Sequence, residues 1–155
     1  MGIAFAIAGA VIAVSLAGIG SALGTGVVGR AASGLISVDP EKFGKVLLLQ
    51  ALPGTQGIYG FLGAIMALQK VGLLGGEVAA LSVETGWQIF FACLPIALTG
   101  LVSGLYQGRV AAAAVGIVGK KPNELGKGII FAAVVETYAV LGLLATILLL
   151  NGITV

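Results

Sequence analysis

Four long apolar stretches, separated by three short breaks, constrain this chain more than any other feature. They run from about Ile3 to Ser37, Phe43 to Leu74, Gly86 to Gly119 and Gly126 to Ile153. A helix needs roughly 20 apolar residues to cross the hydrocarbon layer, so each stretch is long enough to span it. The breaks are Asp39-Pro40-Glu41-Lys42, Gly75-Gly76-Glu77 and Lys120-Lys121-Pro122-Asn123-Glu124. Each joins Pro or Gly to charged residues, the pattern of a turn between helices. The first and third stretches exceed what a bilayer requires, so those helices are expected to project beyond it. Of the 155 residues 59% are apolar and only 9% charged, against about 25% charged in a soluble domain. With so little polar surface, a soluble enzyme, a nucleic-acid binder and a disordered linker are excluded. The net charge of +2 comes from 8 basic against 6 acidic residues, too few for a phosphate-binding patch. There is no His, and the single Cys93 lies in an apolar run, so neither an intrachain disulfide nor a zinc site is expected. The expected fold is all-α: four transmembrane helices forming two hairpins.

Seven of the eight basic residues, Arg30, Lys42, Lys45, Arg109, Lys120, Lys121 and Lys127, fall on one side, and only Lys70 lies at the other. The positive-inside rule then places loops 38–43 and 119–125 in the cytoplasm and both termini outside. Arg30 and Arg109 precede their loops by several residues, which favours helices that extend past the inner boundary. No Lys or Arg precedes the first apolar run, and no small-residue cleavage site ends it, so a permanent span is expected rather than a removable signal.

Sliding the chain by 82 residues aligns its two halves without a gap. Gly18 meets Gly100, Ser21 meets Ser103, Gly26 meets Gly108 and Gly34 meets Gly116. Pro40 meets Pro122, Gly44 meets Gly126, Lys45 meets Lys127, Thr55 meets Thr137 and Gly60 meets Gly142. Chance apolar similarity aligns Leu and Ala, but not loop Pro, Gly and Lys as well. The chain therefore reads as a first hairpin over 1–74, an outer linker over 75–85 and a second hairpin over 86–155, a parallel repeat. One asymmetry stands out: Glu136 falls opposite Gly54, so a function tied to that carboxylate occurs once per chain.

Asp39, Glu41, Glu77, Glu84 and Glu124 lie in loops or at helix ends and read as solvated charges. Glu136 lies roughly 13 Å of helix from Lys127 and about 22 Å from Asn151. That depth is within the hydrocarbon layer, where an acidic side chain costs on the order of 3 kcal/mol and marks a functional site by default. With no Lys at a matching depth, its partner is a proton or a metal cation. Other polar residues share that depth: Thr55 and Gln56 on the second helix, Gln107 on the third, and Thr137 beside the acid. A proton carrier needs only the carboxyl, whereas a hard cation stripped of water needs several neutral oxygens around it. Pro53 removes a backbone N–H and leaves the Leu49 carbonyl without its helical partner, loosening the helix beside Thr55 and Gln56. A purely structural or pore-forming four-helix protein would explain the hydropathy and the glycines, but not an acid at membrane depth in one repeat only.

The first helix carries small residues at 18, 20, 22, 24, 26 and 29. Such helices pack backbone to backbone, and this density suggests crowding by several neighbours, as on the inner wall of a closed ring. A nucleotide loop is excluded, since no strand precedes the glycines and no Lys-Ser/Thr follows them.

Together, the doubled hairpin, the Gly-rich first helix, the loops Asp39-Pro-Glu-Lys-Phe-Gly-Lys and Lys121-Pro-Asn-Glu-Leu-Gly-Lys, and the single Glu136 resemble the proteolipid rotor-ring (c/K) subunits of V-type ATPases. Leu52-Pro-Gly-Thr-Gln-Gly-Ile-Tyr-Gly60 and Val135-Glu-Thr-Tyr-Ala139 are similar to the bacterial sodium-pumping branch. The resemblance implies Na+ held by the carboxylate of Glu136, the side chains of Thr55, Gln56 and Gln107 and the backbone carbonyl of Leu52. It also implies that Tyr59 donates a hydrogen bond to that carboxylate, with Thr137 and Pro53 in support. H+ competes for the same carboxylate, and no organic cofactor is implied. The implied assembly is a homo-oligomeric ring in a bacterial cell membrane, with the first and third helices on the inner wall. A stator membrane subunit with an essential Arg would load and unload the ion. Central-stalk subunits would dock on the cytoplasmic loops, and ATP would be hydrolysed or made on other subunits. A rotor carrying H+ instead of Na+ is the alternative.

Overall fold

The computed structural model describes all residues, 1–155, and is entirely helical. Helix α1 spans Gly2–Ile36. The second membrane segment, Pro40–Lys70, is built from α2 (Phe43–Ala51) and α3 (Thr55–Lys70). Helix α4 spans Val83–Lys120 and α5 spans Leu125–Gly152. These four helical segments are each long and apolar enough to cross a membrane.

The two Pro loops share one backbone design. Asp39 (φ −141°, ψ 84°) and Lys121 (φ −139°, ψ 77°) both take the extended conformation that a following proline imposes, and each leads into a single 3-10 turn, Pro40–Lys42 or Pro122–Glu124. The loops are also tied together: Lys42 pairs with Asp39 and its Nζ donates to the Gly119 carbonyl at 3.2 Å, while Lys45 Nζ donates to the Pro122 carbonyl at 3.2 Å. At the opposite end α3 stops at Lys70, short of Leu74, because the chain turns left-handed at Gly72 (φ 78°). Helix α4 begins at Val83, ahead of Gly86, because the Ser82 hydroxyl accepts the Thr85 N–H at 3.0 Å and caps it.

Helices α1 and α4 form the seam between the hairpins, and there the glycine stripe packs as backbone on backbone. A Cβ on Gly20 would stand 2.6 Å from the Gly100 carbonyl oxygen, and Gly24 and Gly108 press on each other's main chain. Only part of the stripe is used in this way: nothing lies within 4 Å of a Cβ placed on Gly18 or Gly26. A helix with 3.6 residues per turn turns those positions to another side. Two apolar clusters fill the bundle. One, including Ala10, Ala13, Ala64, Ile89 and Ile96, lies toward the chain termini; the other, including Val28, Leu49, Ala111 and Val118, lies toward the Pro loops. The polar residues of interest form a layer between them. Large side chains such as Ile58, Phe61, Leu141 and Leu148 are left exposed on α3 and α5, as a lipid-facing surface requires.

Candidate ion-binding site

The second membrane segment is broken where the sequence places Pro53. Leu52–Gly54 forms a 3-10 turn between α2 and α3. The Thr55 hydroxyl donates to the Leu52 carbonyl at 3.0 Å, and the Gly57 N–H leaves the regular ladder to donate to Ser21 Oγ on α1 at 2.8 Å. The break thus turns one carbonyl, one hydroxyl and the Gln56 side chain toward the seam with the second hairpin.

From the other side of the seam come Gln107 on α4 and Glu136 on α5. Both glutamines are fully buried. Gln56 Nε2 donates to Gln107 Oε1. Gln107 Nε2 in turn donates to Glu136 Oε2 at 3.2 Å, and the Tyr59 hydroxyl donates to Glu136 Oε1 at 2.6 Å. Thr55 Oγ1 lies 3.4 Å from Gln56 Oε1. Leu52, Thr55, Gln56, Tyr59, Gln107 and Glu136 are therefore joined in one hydrogen-bonded network, drawn from both hairpins. Charge-assisted hydrogen bonds of this kind fix a carboxylate more firmly than neutral ones. Glu136 itself is only half-buried and borders an outward groove with Ala133, Val140 and Leu141. The glutamines hold fixed positions inside the seam, and the carboxylate closes it from outside.

Thr137 does not join this group. It is exposed, and its hydroxyl donates to the Val134 carbonyl of its own helix at 2.7 Å. Neighbours in sequence on a helix point about 100° apart, so adjacency to Glu136 turns Thr137 away from the seam. Pro53 is buried against α1 and contributes the break rather than a ligand. Ser21 is the member that sequence reading overlooked as part of the site. Its signal was a hydroxyl at the depth of Thr55 within an otherwise glycine-rich stripe.

A half-buried membrane carboxylate, held among amide, hydroxyl and carbonyl groups at a seam between two like hairpins, defines a membrane protein that handles a small cation. Sequence comparison gives the family. The chain matches the ATP synthase C-subunit family twice, over residues 8–67 and 90–149, and it belongs to that family, whose members assemble into rings. It is 49% identical over 148 residues to the V-type sodium ATPase subunit K of Enterococcus hirae, covering 96% of this chain and 91% of that protein. It is 41% identical over 145 residues to the A-type ATP synthase subunit K of Methanocaldococcus jannaschii, covering 94% of this chain and 61% of that one. The chain is a rotor c/K subunit of a V-type/A-type ATPase.

Proposed function

We propose that this rotor protein takes Na+ across the membrane, one ion per chain, on Glu136. The supporting observation is the set of oxygens gathered at the hairpin seam. Glu136 would supply the charge, while Leu52 O, Thr55 Oγ1, Gln56 Oε1 and Gln107 Oε1 would replace the water a hard cation loses. Tyr59 and the Gln107 amide would hold the carboxylate in its closed position. Empty, Glu136 is a charge beside lipid, costing on the order of 3 kcal/mol or more; loaded, the site is near neutral and can travel past the lipid. H+ competes, since protonation neutralises the same carboxylate. A proton alone, however, has no use for four neutral oxygens.

The remaining assignments belong to the same proposal. The chain divides into a first hairpin (1–74), an outer linker (75–85) and a second hairpin (86–155). It sits in a bacterial cell membrane with both termini outside and loops 38–43 and 119–125 in the cytoplasm, where the central stalk docks. A stator subunit displaces the ion with an Arg. The test is carbodiimide labelling of Glu136 in the purified ring, with and without Na+ across pH, because the reagent attacks only the protonated carboxyl. Sodium protection that weakens as pH falls supports the reading. Labelling that follows pH but ignores Na+ means a proton rotor.

A further inference from the structure

The joint between hairpins inside the chain has two unlike halves, and each hairpin leaves one half unused. Within the chain, the α1 face carrying Ala17, Gly20 and Gly24 meets the α4 face carrying Gly100, Gly104 and Gly108. The 82-residue repeat gives every contact residue a twin in the other hairpin. The twins of the α4 face are Gly18, Ala22 and Gly26 on α1. They stand open, with nothing near a Cβ on either glycine and Ala22 exposed. The twins of the α1 face are Thr99, Val102 and Tyr106 on α4. They line a groove of about 620 Å³ together with Leu98, Val135 and Tyr138. Val102 is 53% exposed and Tyr106 52%. The two open faces are the two halves of one heterologous joint, and such a joint closes only when copies line up head to tail.

We propose that copies of this chain join by repeating that internal seam, so that Val102 and Tyr106 on α4 of one copy seat on Gly18, Ala22 and Gly26 on α1 of the next. The occupant is a second copy because the open faces continue an interface the chain already contains and match it in size. Inside the chain glycine meets glycine; between copies a large side chain meets a small one. Hairpins of neighbouring copies therefore stand further apart than the two hairpins of one copy.

The same mapping extends along the seam. Leu49 is fully buried in the internal seam beside Gly128; its twin Phe131 is exposed, and the matching slot is the groove lined by Gly29, Val46 and Gln50. At the depth of the ion site, the pair corresponding to Gln56 and Gln107 is Tyr138 with Thr25 of the next copy, and Glu136 corresponds to Gly54. The joint between copies thus carries hydroxyls and no carboxylate. This inference does not depend on which ion the ring carries.

Cysteine pairs test it in the full chain with Cys93→Ala as background. The internal neighbours Gly20 and Leu101 map to Val102 and Ile19 of the next copy, and Gly9 and Phe90 map to Phe91 and Ala8. In the assembled oligomer, oxidised Ile19→Cys/Val102→Cys and Ala8→Cys/Phe91→Cys each give a reducible ladder reaching the full ring on a denaturing gel. Each single variant stays monomeric. Disulfides need Cα atoms about 4.4–6.8 Å apart, so a ladder reports direct contact. A dimer from Val102→Cys alone means copies meet face to face and overturns the proposal. It is also overturned if both pairs stay unlinked in an oligomer that elutes intact, because lipid or another protein then covers those faces.

Discussion

Replacing Gln107 by Leu probes the core of the site while keeping similar volume in a fully buried position. The substitution removes the hydrogen bond to Glu136 Oε2 and the amide that accepts from Gln56. A hydrogen bond to a charged group contributes about 1.5–3 kcal/mol. If that energy belongs to the Na+-loaded geometry, the Na+ concentration giving half-protection of Glu136 from carbodiimide rises roughly 10- to 150-fold. The change also strands the buried Gln56 amide, at about 1–3 kcal/mol of stability. Gln56→Leu leaves Gln107 in the converse position. The double variant Gln56→Leu/Gln107→Leu therefore loses less thermal stability than the two singles together, since it leaves no stranded amide. Its Na+ affinity, by contrast, falls at least as far as that of either single. Separating these two readouts is the purpose of the cycle. A Gln107→Leu ring that unfolds at a lower temperature but keeps its half-protecting Na+ concentration would refute the assignment of Gln107 as an ion ligand.

Other perturbations test single features. Tyr59→Phe removes the hydroxyl on Glu136 Oε1 and is expected to speed carbodiimide labelling at a fixed Na+ concentration, read by mass spectrometry of the modified chain. Thr137→Ala is expected to leave Na+ protection unchanged within twofold, because its hydroxyl is committed to Val134; a tenfold loss would return Thr137 to the site. Lowering the pH converts Glu136 to a form that cannot ligate Na+, so more Na+ is needed for half-protection as pH falls, and the dependence is lost where the carboxylate is fully ionised. Gly24→Ala places a Cβ 2.8 Å from Pro53 and into the Gly104 carbonyl, costing about 1–3 kcal/mol by thermal melting in detergent. Gly34→Ala, with open space around it, is neutral or stabilising by up to about 1 kcal/mol in the same measurement.

The spans and the site members were legible in the sequence for one reason: polar groups at membrane depth are costly, so the few that occur are informative. Glu136, Gln56, Gln107 and Thr55 interrupt apolar runs and prove to lie together at one seam. What the sequence did not carry was direction. Thr137 was grouped with Glu136 by depth, yet a helix turns adjacent residues to different sides. The glycine stripe was legible as a packing surface, but only Gly20 and Gly24 press on α4, while Gly18 and Gly26 look elsewhere. Pro53 announced a loosened helix. That the freed Gly57 N–H would find Ser21 depended on which helix packs there, and hydropathy holds no such information.

The division of labour within the site follows from its placement on the two hairpins. Gln56 and Gln107 are buried and bonded to each other, so moving either would open the seam and expose amides in an apolar bundle. Glu136 reaches the same cluster from α5, at the rim, with two donors holding it and an outward groove beside it. It is the one ligand that can withdraw by side-chain rotation alone, breaking two hydrogen bonds and leaving the helices as they stand. A carrier that must load and release at each pass needs such a ligand beside others that stay in place. The repeat explains why each chain has one of these sites and not two. The second hairpin's own break is missing, since Val135 stands where the first has Pro53, and Gly54 stands where a second carboxylate would be. Restoring the acid alone, as Gly54→Glu, would therefore supply charge without the displaced carbonyl and without glutamines. In lipid, such a charge is expected to cost about 3 kcal/mol rather than add a second carrier.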